Sequence, residues 1–422
     1  MKHYVPITII ILAIGAFFFF DAIQEKARTV ETEVESAANS VTINYPKEIN
    51  IFSDLLEENG RTVLGDPVIS RDKQFIIVET ILNGTSDYDN SKTYLYDARN
   101  SRLHELKGRL SSNLQTTFWM TDYETNTASW YSIKGNEPEL ITTYFIGTEG
   151  FFDFLVSPNE KLTAISGGGL SIIDQSGEVH YLDSAEGARA EAWASDSANI
   201  YALVPDPNRD LTNPLEEFYG PQDYLIKEIN ITKEGKEIAS KTVPYSSRSP
   251  RELEWFVEDS VLLVNSGFDD GSFDEILHLN DTKTYTIGDT SGALVGRYID
   301  QQNELFIVAG EFYPEDYVFE QTDDLITQEF RIYDSQGSVI YQYFLQDNEY
   351  LGIQIIGYST NVIYFSAQKE PGAFYIYGAL DTETNEINQI GQPSTSYVSA
   401  EFLNGSGLLS VGDDRIEYIK IN

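Results

Sequence analysis

The clearest chemical pattern in the sequence is the stretch DPNRDLTNPLEE at residues 206–217. Side chains that carry oxygen recur there at alternate positions. Calcium-binding loops wrap the ion with such side chains, one backbone carbonyl and a closing glutamate. The sequence therefore predicts a calcium site with the ligands Asp206, Asn208, Asp210, Thr212 and Glu217. Leu211 occupies the place of the usual glycine, so an ordinary solvated loop is the alternative, and a calcium titration distinguishes the two.

Residues for covalent or acid–base catalysis form no recognisable motif. The histidines are His3, His104, His180 and His278, and no two of them have the spacing of metal ligands. The glycine run SGGGL at 166–170 lacks the lysine and helix of a phosphate-binding loop, so we expect a tight connection between strands. Cysteine is absent, which excludes thiolate chemistry. We predict no catalytic residue and no cofactor other than calcium, although a pair among the 67 acidic residues leaves a hydrolase open.

The charge of the chain restricts its partners. Asp and Glu number 67 against 28 Lys and Arg, which gives a net charge of −39 over 422 residues. Such a field repels nucleic acid and anionic lipid headgroups, so we expect no nucleic-acid partner. Tyr (27) and Phe (23) greatly outnumber Trp (4), and this aromatic enrichment favours strands over helices.

The N-terminal segment predicts a membrane anchor. Residues 5–20 carry no charge over 16 positions, with Lys2 before them and Asp21 after them. The positive-inside tendency places the N-terminus in the cytoplasm and the rest outside, as a single-pass protein that is periplasmic or at the cell surface. We assign residues 1–22 to an uncleaved anchor. The alternative is a cleaved signal peptide with its cleavage site at 13–15.

The anchor is followed by a predicted helical stalk at residues 23–40. Apolar residues recur there at spacings of four and three, as in a heptad stripe. They are Ile23, Ala27, Val30, Val34, Ala37 and Val41. We expect the helix to hold the following domain away from the bilayer, with self-association through the stripe as the lesser alternative.

The remaining residues, 41–422, contain a repeated pattern of a polar turn and a short apolar run. It recurs eight times, at 70–79, 121–131, 157–166, 194–204, 257–265, 299–309, 357–367 and 403–412. In four units a further strand ends in Asp and a turn, at 93–106, 170–182, 329–343 and 374–390. Four short strands in each repeat of this length predict an all-β fold, a β-propeller with about eight four-stranded blades.

Seven blades are the alternative if the second unit is irregular. The last unit ends one strand short, and residues 40–46 or 49–52 could supply the missing strand. A strand from the N-terminal side would close the fold and remove an exposed edge.

The unit SPNEK…IIDQSG at 157–177 resembles the repeat of TolB-like and WD-repeat-like propellers. The resemblance extends loosely over most of the chain after residue 60, and one unit retains the Ser-Pro dipeptide. It implies the fold and does not specify a ligand.

In four-stranded blades, the loops that join the second and third strands share one face. Here we assign to them the long acidic stretches 82–92, 205–224, 266–274, 310–328 and 366–374. Long loops on a rigid scaffold commonly carry function, with neutral surface variation as the alternative. The predicted partner-binding residues are Tyr88, Tyr219, Phe268, Asp269, Asp270, Tyr313, Asp316 and Tyr317.

These observations lead to a functional hypothesis with two alternatives. We expect a membrane-anchored, extracytoplasmic scaffold that binds a protein or glycan through the acidic, aromatic loops. A structural subunit of an envelope assembly is one alternative. A propeller hydrolase or lyase that acts on glycans or peptides is the other.

The orientation of the chain can be tested by protease accessibility. Protease added to intact cells, or to spheroplasts where an outer barrier exists, should digest the domain after residue 41 because the anchor places it outside. Full protection of that domain would contradict the orientation. An N-terminus at Ala16 would instead indicate a cleaved signal peptide.

Overall fold

The computed structural model describes residues 60–420 with internal gaps. The gaps are 65–66, 71–73, 83–90, 98, 100–101, 136, 148–151, 210–222, 246–248, 258–259, 269–270, 288–295, 313–326, 346–349, 371–373, 395–398, 404–406 and 413–414. For residues 266–273 and 391–420 only the backbone is described. All described strands belong to one compact unit, residues 47–421. The predicted anchor and stalk lie outside the described residues. Among the residues that the structure describes, no helix is long and apolar enough to cross a membrane.

The described elements are antiparallel strands in consecutive sheets. Sheets I and II contain β1 (Arg61–Val63), β2 (Val68–Ile69), β3 (Phe75–Leu82), β4 (Lys92–Asp97) and β5 (Arg102–Leu106), then β6 (Arg109–Leu110), β7 (Thr117–Asp122), β8 (Thr127–Ser132) and β9 (Glu139–Phe145). Sheets III and IV contain β10 (Asp153–Val156), β11 (Leu162–Ser166), β12 (Leu170–Asp174) and β13 (Val179–Asp183), then β14 (Arg189–Trp193), β15 (Asn199–Pro205), β16 (Tyr224–Ile231) and β17 (Glu237–Thr242).

The second half of the chain continues the same pattern. Sheets V and VI contain β18 (Pro250–Val257), β19 (Val261–Phe268), β20 (Gly271–His278) and β21 (Thr284–Thr286), then β22 (Gly296–Asp300), β23 (Leu305–Phe312), β24 (Thr327–Asp334) and β25 (Val339–Phe344). Sheets VII and VIII contain β26 (Leu351–Ser359), β27 (Val362–Gln368), β28 (Tyr375–Asp381) and β29 (Glu386–Ser394), then β30 (Ser399–Leu403), β31 (Gly407–Gly412) and β32 (Arg415–Lys420).

Each sheet is a simple meander with an inner and an outer edge. The first strands of neighbouring sheets contact one another, as β14 does with β18 and β22 with β26. The fourth strands are largely exposed, and β17 is exposed along its whole length. The first strand of each sheet is therefore its inner strand and the fourth its outer strand. This is the arrangement of blades in a β-propeller.

The strand count supports the alternative prediction of seven complete blades and not that of eight, and a shorter sheet follows the seventh. In sheet I, β1 and β2 pair with successive stretches of β3 and together form one interrupted inner strand. Among the described residues, sheets I to VII thus have all four blade strands, and sheet VIII has three. The last unit does end one strand short, as predicted. The segments predicted to complete it, 40–46 and 49–52, lie outside the described residues.

Apolar side chains fill the space between consecutive sheets. At the junction of sheets II and III, the Trp119 ring stacks on Trp130 at 5.4 Å and on Phe154 at 4.6 Å between centroids. The Trp119 indole also donates to the Thr163 hydroxyl over 3.0 Å, so its polar group is satisfied inside the core. Similar clusters lie at the other five junctions from sheet I to sheet VII. A middle strand such as β11 is buried along its whole length, so its residues do not alternate between buried and exposed.

The predicted aspartate turns are confirmed. Asp97, Asp174, Asp334 and Asp381 each end the third strand of a sheet. The Asp174 carboxylate accepts the backbone N–H groups of Ser176 at 2.9 Å and Glu178 at 3.0 Å, which ties the turn to the strand end. Although burial acts to raise the pKa of Asp174, these hydrogen bonds and that of the Ser176 hydroxyl lower it overall. The recurrent aspartates are therefore turn residues.

The prediction for the second repeat unit is wrong. The pattern at 121–131 predicts a turn between first and second strands, but the turn at 123–126 joins β7 to β8, the second and third strands of sheet II. The first turn of this sheet is residues 111–116, which contain neither glycine nor aspartate. The Ser112 hydroxyl donates to the carbonyl of Asn113 and accepts the Trp119 N–H over 2.9 Å. A serine therefore stabilises this turn, in place of the glycine or aspartate that indicates a turn in the other units.

A glutamate side chain contributes to the contact between sheets II and III at the edge where their first turns lie. Glu160 has a left-handed backbone, with φ 58°, in the turn between β10 and β11. Its partly buried carboxylate accepts the Thr116 N–H at 3.0 Å and the Thr116 hydroxyl, and it lies 3.3 Å from the Lys134 ammonium.

Loss of this carboxylate should destabilise the domain. We expect Glu160→Ala to lower the free energy of unfolding by about 1–2 kcal/mol, because the Thr116 N–H loses its acceptor. Glu160→Gly should cost less, since glycine removes the strain of the positive φ. Denaturant titration of both variants measures the difference. Equal stability of wild type and Glu160→Ala would contradict the role of the contact.

Candidate site: the loop face and the central cavity

The strand register places one class of connections at one edge of the sheets. In sheet III, Asp153 at the start of the first strand pairs with Ser166 at the end of the second. In sheet VII, Leu351 pairs likewise with Gln368. The start of each inner strand therefore lies beside the connection from the second to the third strand. We call this edge the loop face, and the predicted sharing of one face by these connections is confirmed.

The lengths of these connections differ from the prediction in one sheet. The long ones join β3 to β4 (83–91), β15 to β16 (206–223) and β23 to β24 (313–326). The predicted loop at 266–274 is wrong, because β19 ends at Phe268, β20 begins at Gly271, and these two residues pair. Strand pairing extends through this glycine- and aspartate-rich stretch and leaves two residues for the turn.

Most of the predicted binding residues lie outside the described residues. This holds for Tyr88, Tyr219, Asp269, Asp270, Tyr313, Asp316 and Tyr317. Phe268 is the last residue of β19, at the loop face. Each of these residues belongs to a loop-face connection or lies next to one. Their role in partner binding stays a prediction.

The predicted calcium loop is described only at its start. The Asp206 carboxylate accepts the Asn208 backbone N–H at 2.7 Å and its side-chain amide at 3.2 Å. Asp210, Thr212 and Glu217 lie outside the described residues, and the calcium site stays a prediction. Within the described part of the chain, no three His, Asp or Glu side chains are grouped closely enough to hold a metal ion.

A central cavity of about 840 Å³ lies at the loop-face end of the inner strands. Residues from sheets I to V line it, and its apolar wall includes Leu64, Val68, Ile77 and Leu155. Its charged lining residues are Glu79, Arg109, Asp153, Arg189, Glu191, Arg251 and Glu252. A concave site with an apolar wall and a few convergent polar groups is the usual form of a binding site.

Two of the arginines that line the cavity are held by neighbouring carboxylates. Arg109 donates to Glu79 over 2.9 Å from two nitrogens. Arg189 donates to Glu191 and to the backbone carbonyl of Arg251, and its guanidinium lies 5.0 Å from the ring centroid of Tyr224. These contacts orient the guanidinium groups before any ligand arrives.

A second charged cluster lies next to the cavity on sheets V and VI. Arg297, on the inner strand β22, donates to Glu252 and to Asp274, each over 3.1 Å. Burial raises the pKa of Asp274, and Arg297 and the Asn265 amide offset only part of the rise. Burial likewise raises the pKa of Glu191 against the opposing effect of Arg189.

Unlike the carboxylates that hold these arginines, Glu254 has no hydrogen bond or ion pair to its side chain among the described residues. It follows Glu252 by two residues on β18, so the two side chains lie on the same face of the strand. Confinement by surrounding protein raises the pKa of Glu254, and the negative charge of Glu252 raises it further. Clustered charges of perturbed pKa in a concave site are typical of functional positions.

The positions of the arginines in the sequence carry a signal for this site. Arg61, Arg109, Arg189, Arg251 and Arg297 each stand within the first two residues of an inner strand. In a chain with 28 basic residues against 67 acidic ones, arginine at the same point of five units is an informative pattern. It becomes visible only once the inner strands are aligned with each other.

Comparisons with known structures support the fold. The chain resembles the β-propeller domain of the trilobed protease from Pyrococcus furiosus, at 14% identity over 84% of this chain and 91% of that one, with a TM-score of 0.41. It matches Sqt1 of Chaetomium thermophilum at 10% identity over 86% of this chain and 96% of that one, with a TM-score of 0.51. The chain is a β-propeller. Identities this low show the fold alone.

A puromycin-hydrolyzing peptidase of Mycobacterium tuberculosis is also similar, at 11% identity over 87% of this chain with a TM-score of 0.48. The propeller chain spans 60% of the length of that peptidase and 47% of a prolyl endopeptidase. No family model matches the sequence, and no curated protein matches it.

The raised pKa of Glu254 makes a prediction about stability. A carboxyl whose pKa is higher in the folded state than in the unfolded state lowers the free energy of unfolding as pH rises from the unfolded pKa through the folded pKa. The full loss remains at higher pH. We expect Glu254→Gln to raise the thermal midpoint at pH 7 and to leave it unchanged below about pH 4, near the ordinary glutamate pKa of about 4.3.

Thermal melts over this pH range, with Glu178→Gln as control, separate the local effect from the general removal of one negative charge. Glu178 is exposed in the turn between β12 and β13, at the opposite edge. Equal stabilisation by both substitutions would contradict a specific effect at Glu254.

Proposed function

We propose that the protein is a membrane-anchored binding module that holds a protein partner at its loop face. The observation that carries the proposal is that the longest connections and the charged central cavity occupy the same edge of the sheets. Long loops carried by a rigid scaffold are the usual place for binding residues. The opposite edge has short turns, such as 175–178 and 335–338.

The composition of the long connections supports a protein partner. The predicted contact residues combine tyrosine or phenylalanine with aspartate, as at Tyr313, Asp316 and Tyr317. Aromatic side chains supply most of the binding energy at many protein interfaces, and charged neighbours set orientation and association rate. A glycan is the alternative occupant.

The membrane part of the proposal rests on the sequence. Residues 5–20 are uncharged and Lys2 precedes them, which favours an anchor whose C-terminal side is extracytoplasmic. Residues 23–40 would then act as a spacer between the bilayer and the propeller. In this arrangement the binding face meets partners of the envelope or the exterior.

Photocrosslinking in cells tests the function. A photoreactive phenylalanine at Tyr313 should capture a protein, whereas the same residue at Tyr181 should not. Tyr181 is a matched control because its side chain is 80% exposed on the outer strand β13, away from the loop face. Mass spectrometry of the product identifies the partner.

Substitution of the two loop tyrosines should then weaken capture. We expect Tyr313→Ala with Tyr317→Ala to lower partner affinity at least about 10-fold, as for interface anchors, with the thermal midpoint nearly unchanged. Tyr181→Ala should leave affinity unchanged. Equal loss with Tyr181→Ala, capture of a glycan in place of a protein, or turnover of the captured molecule would contradict the proposal.

A further inference from the structure

The charges around the central cavity do not balance. Four carboxylates, those of Glu79, Glu191, Glu252 and Asp274, each hold an arginine. Two more carboxylates lie on inner strands: Asp153 lines the cavity, and Glu254 follows Glu252 by two residues on β18. Among the described residues, neither Asp153 nor Glu254 has a hydrogen bond or an ion pair to its side chain. Among the described residues around the cavity, these six carboxylates therefore outnumber the four arginines Arg109, Arg189, Arg251 and Arg297.

The two unpaired carboxylates differ in depth. Asp153 begins β10 and lines the cavity at the loop face. Glu254 lies two residues further along β18 than Glu252, which lines the cavity, so it lies further from the loop face. Both side chains are exposed, so each is open to a cation that enters from the loop face.

The loop-face connection beside Asp153 is short. The connection from β11 to β12 consists of Gly167, Gly168 and Gly169 and carries no side chain. Gly168 has φ 67°, and a side chain there would enter open space. Sheet II also has a short turn at this edge, residues 123–126, whereas sheets I and IV on either side have connections of 83–91 and 206–223. The short connections of sheets II and III leave a path at this edge by which a polypeptide could reach Asp153 and the cavity.

We infer that the central cavity receives an extended segment of the partner protein, and that a lysine or arginine of this segment pairs with Asp153 and Glu254. The inference rests on the proposed function and names the chemistry of the partner. A cavity of about 840 Å³ has room for a few residues in extended form. The net charge of −39 attracts a basic segment and repels an acidic one.

Binding of short peptides to the full chain in detergent tests the inference. The probe is N-acetyl-trilysine amide, measured by calorimetry at 0.15 M salt, where long-range charge effects are largely screened. The comparison probes are the same peptide with acetylated lysine side chains and cadaverine, a free diamine. We expect saturable binding of trilysine and none of the acetylated peptide.

Two double variants separate the cavity from the general field. Asp153→Asn with Glu254→Gln should weaken trilysine binding at least 10-fold. Glu178→Gln with Glu234→Gln removes the same charge from exposed turns at the opposite edge and should change binding less than twofold. Thermal melts confirm that each variant is folded.

Three outcomes would overturn the inference. They are no saturable binding of trilysine, equal weakening by both double variants, and binding of cadaverine as tight as that of trilysine, which would assign the cavity to free amines. Photocapture at Tyr313 is measured separately. If capture persists while trilysine fails to bind, the inference about the cavity is wrong and the proposed function stands.

Discussion

The packing of each sheet between its two neighbours is the constraint on which the other features depend. Sheets II to VI have an apolar cluster on both faces, and the residues of each cluster come from two consecutive sheets. No sheet could bury these side chains alone, since each face is completed only by the next sheet. The middle strands are consequently buried on both faces and rich in apolar residues. They also carry buried polar residues, such as Thr163 on β11, Glu275 on β20 and Glu329 on β24.

The inner edge follows from the same constraint. First strands from neighbouring sheets meet at the centre and leave a cavity of about 840 Å³ between them. Arginine–carboxylate pairs are stable around this cavity because each charge lies against an opposite one, as between Arg189 and Glu191 or Arg297 and Asp274. The raised pKa values of Glu191, Glu254 and Asp274 show that the compensation is incomplete. An incompletely compensated centre is suited to binding a charged ligand.

Much of the fold could be predicted from local signals. The aspartates that end third strands, such as Asp174, and the polar turns before second strands recur because each turn is stabilised by residues within a few positions of itself. Prediction was wrong where the local signal was weak or ambiguous. The turn at 111–116 has no glycine or aspartate, and the glycine-rich stretch 266–274, which indicates a loop by composition, continues as paired strands.

The sequence by itself determined the strand-and-turn repeat, the negative charge and the uncharged N-terminal segment, because each of these depends on composition or on neighbouring residues. Only the tertiary structure decided which charges meet at the centre. Arg109 finds Glu79 from 30 residues away, and Arg189 reaches the carbonyl of Arg251 across 62 residues. Such pairs depend on which strand is innermost in each sheet and on how consecutive sheets align. Neither is encoded in a short stretch of chain, because both are consequences of packing apolar faces together.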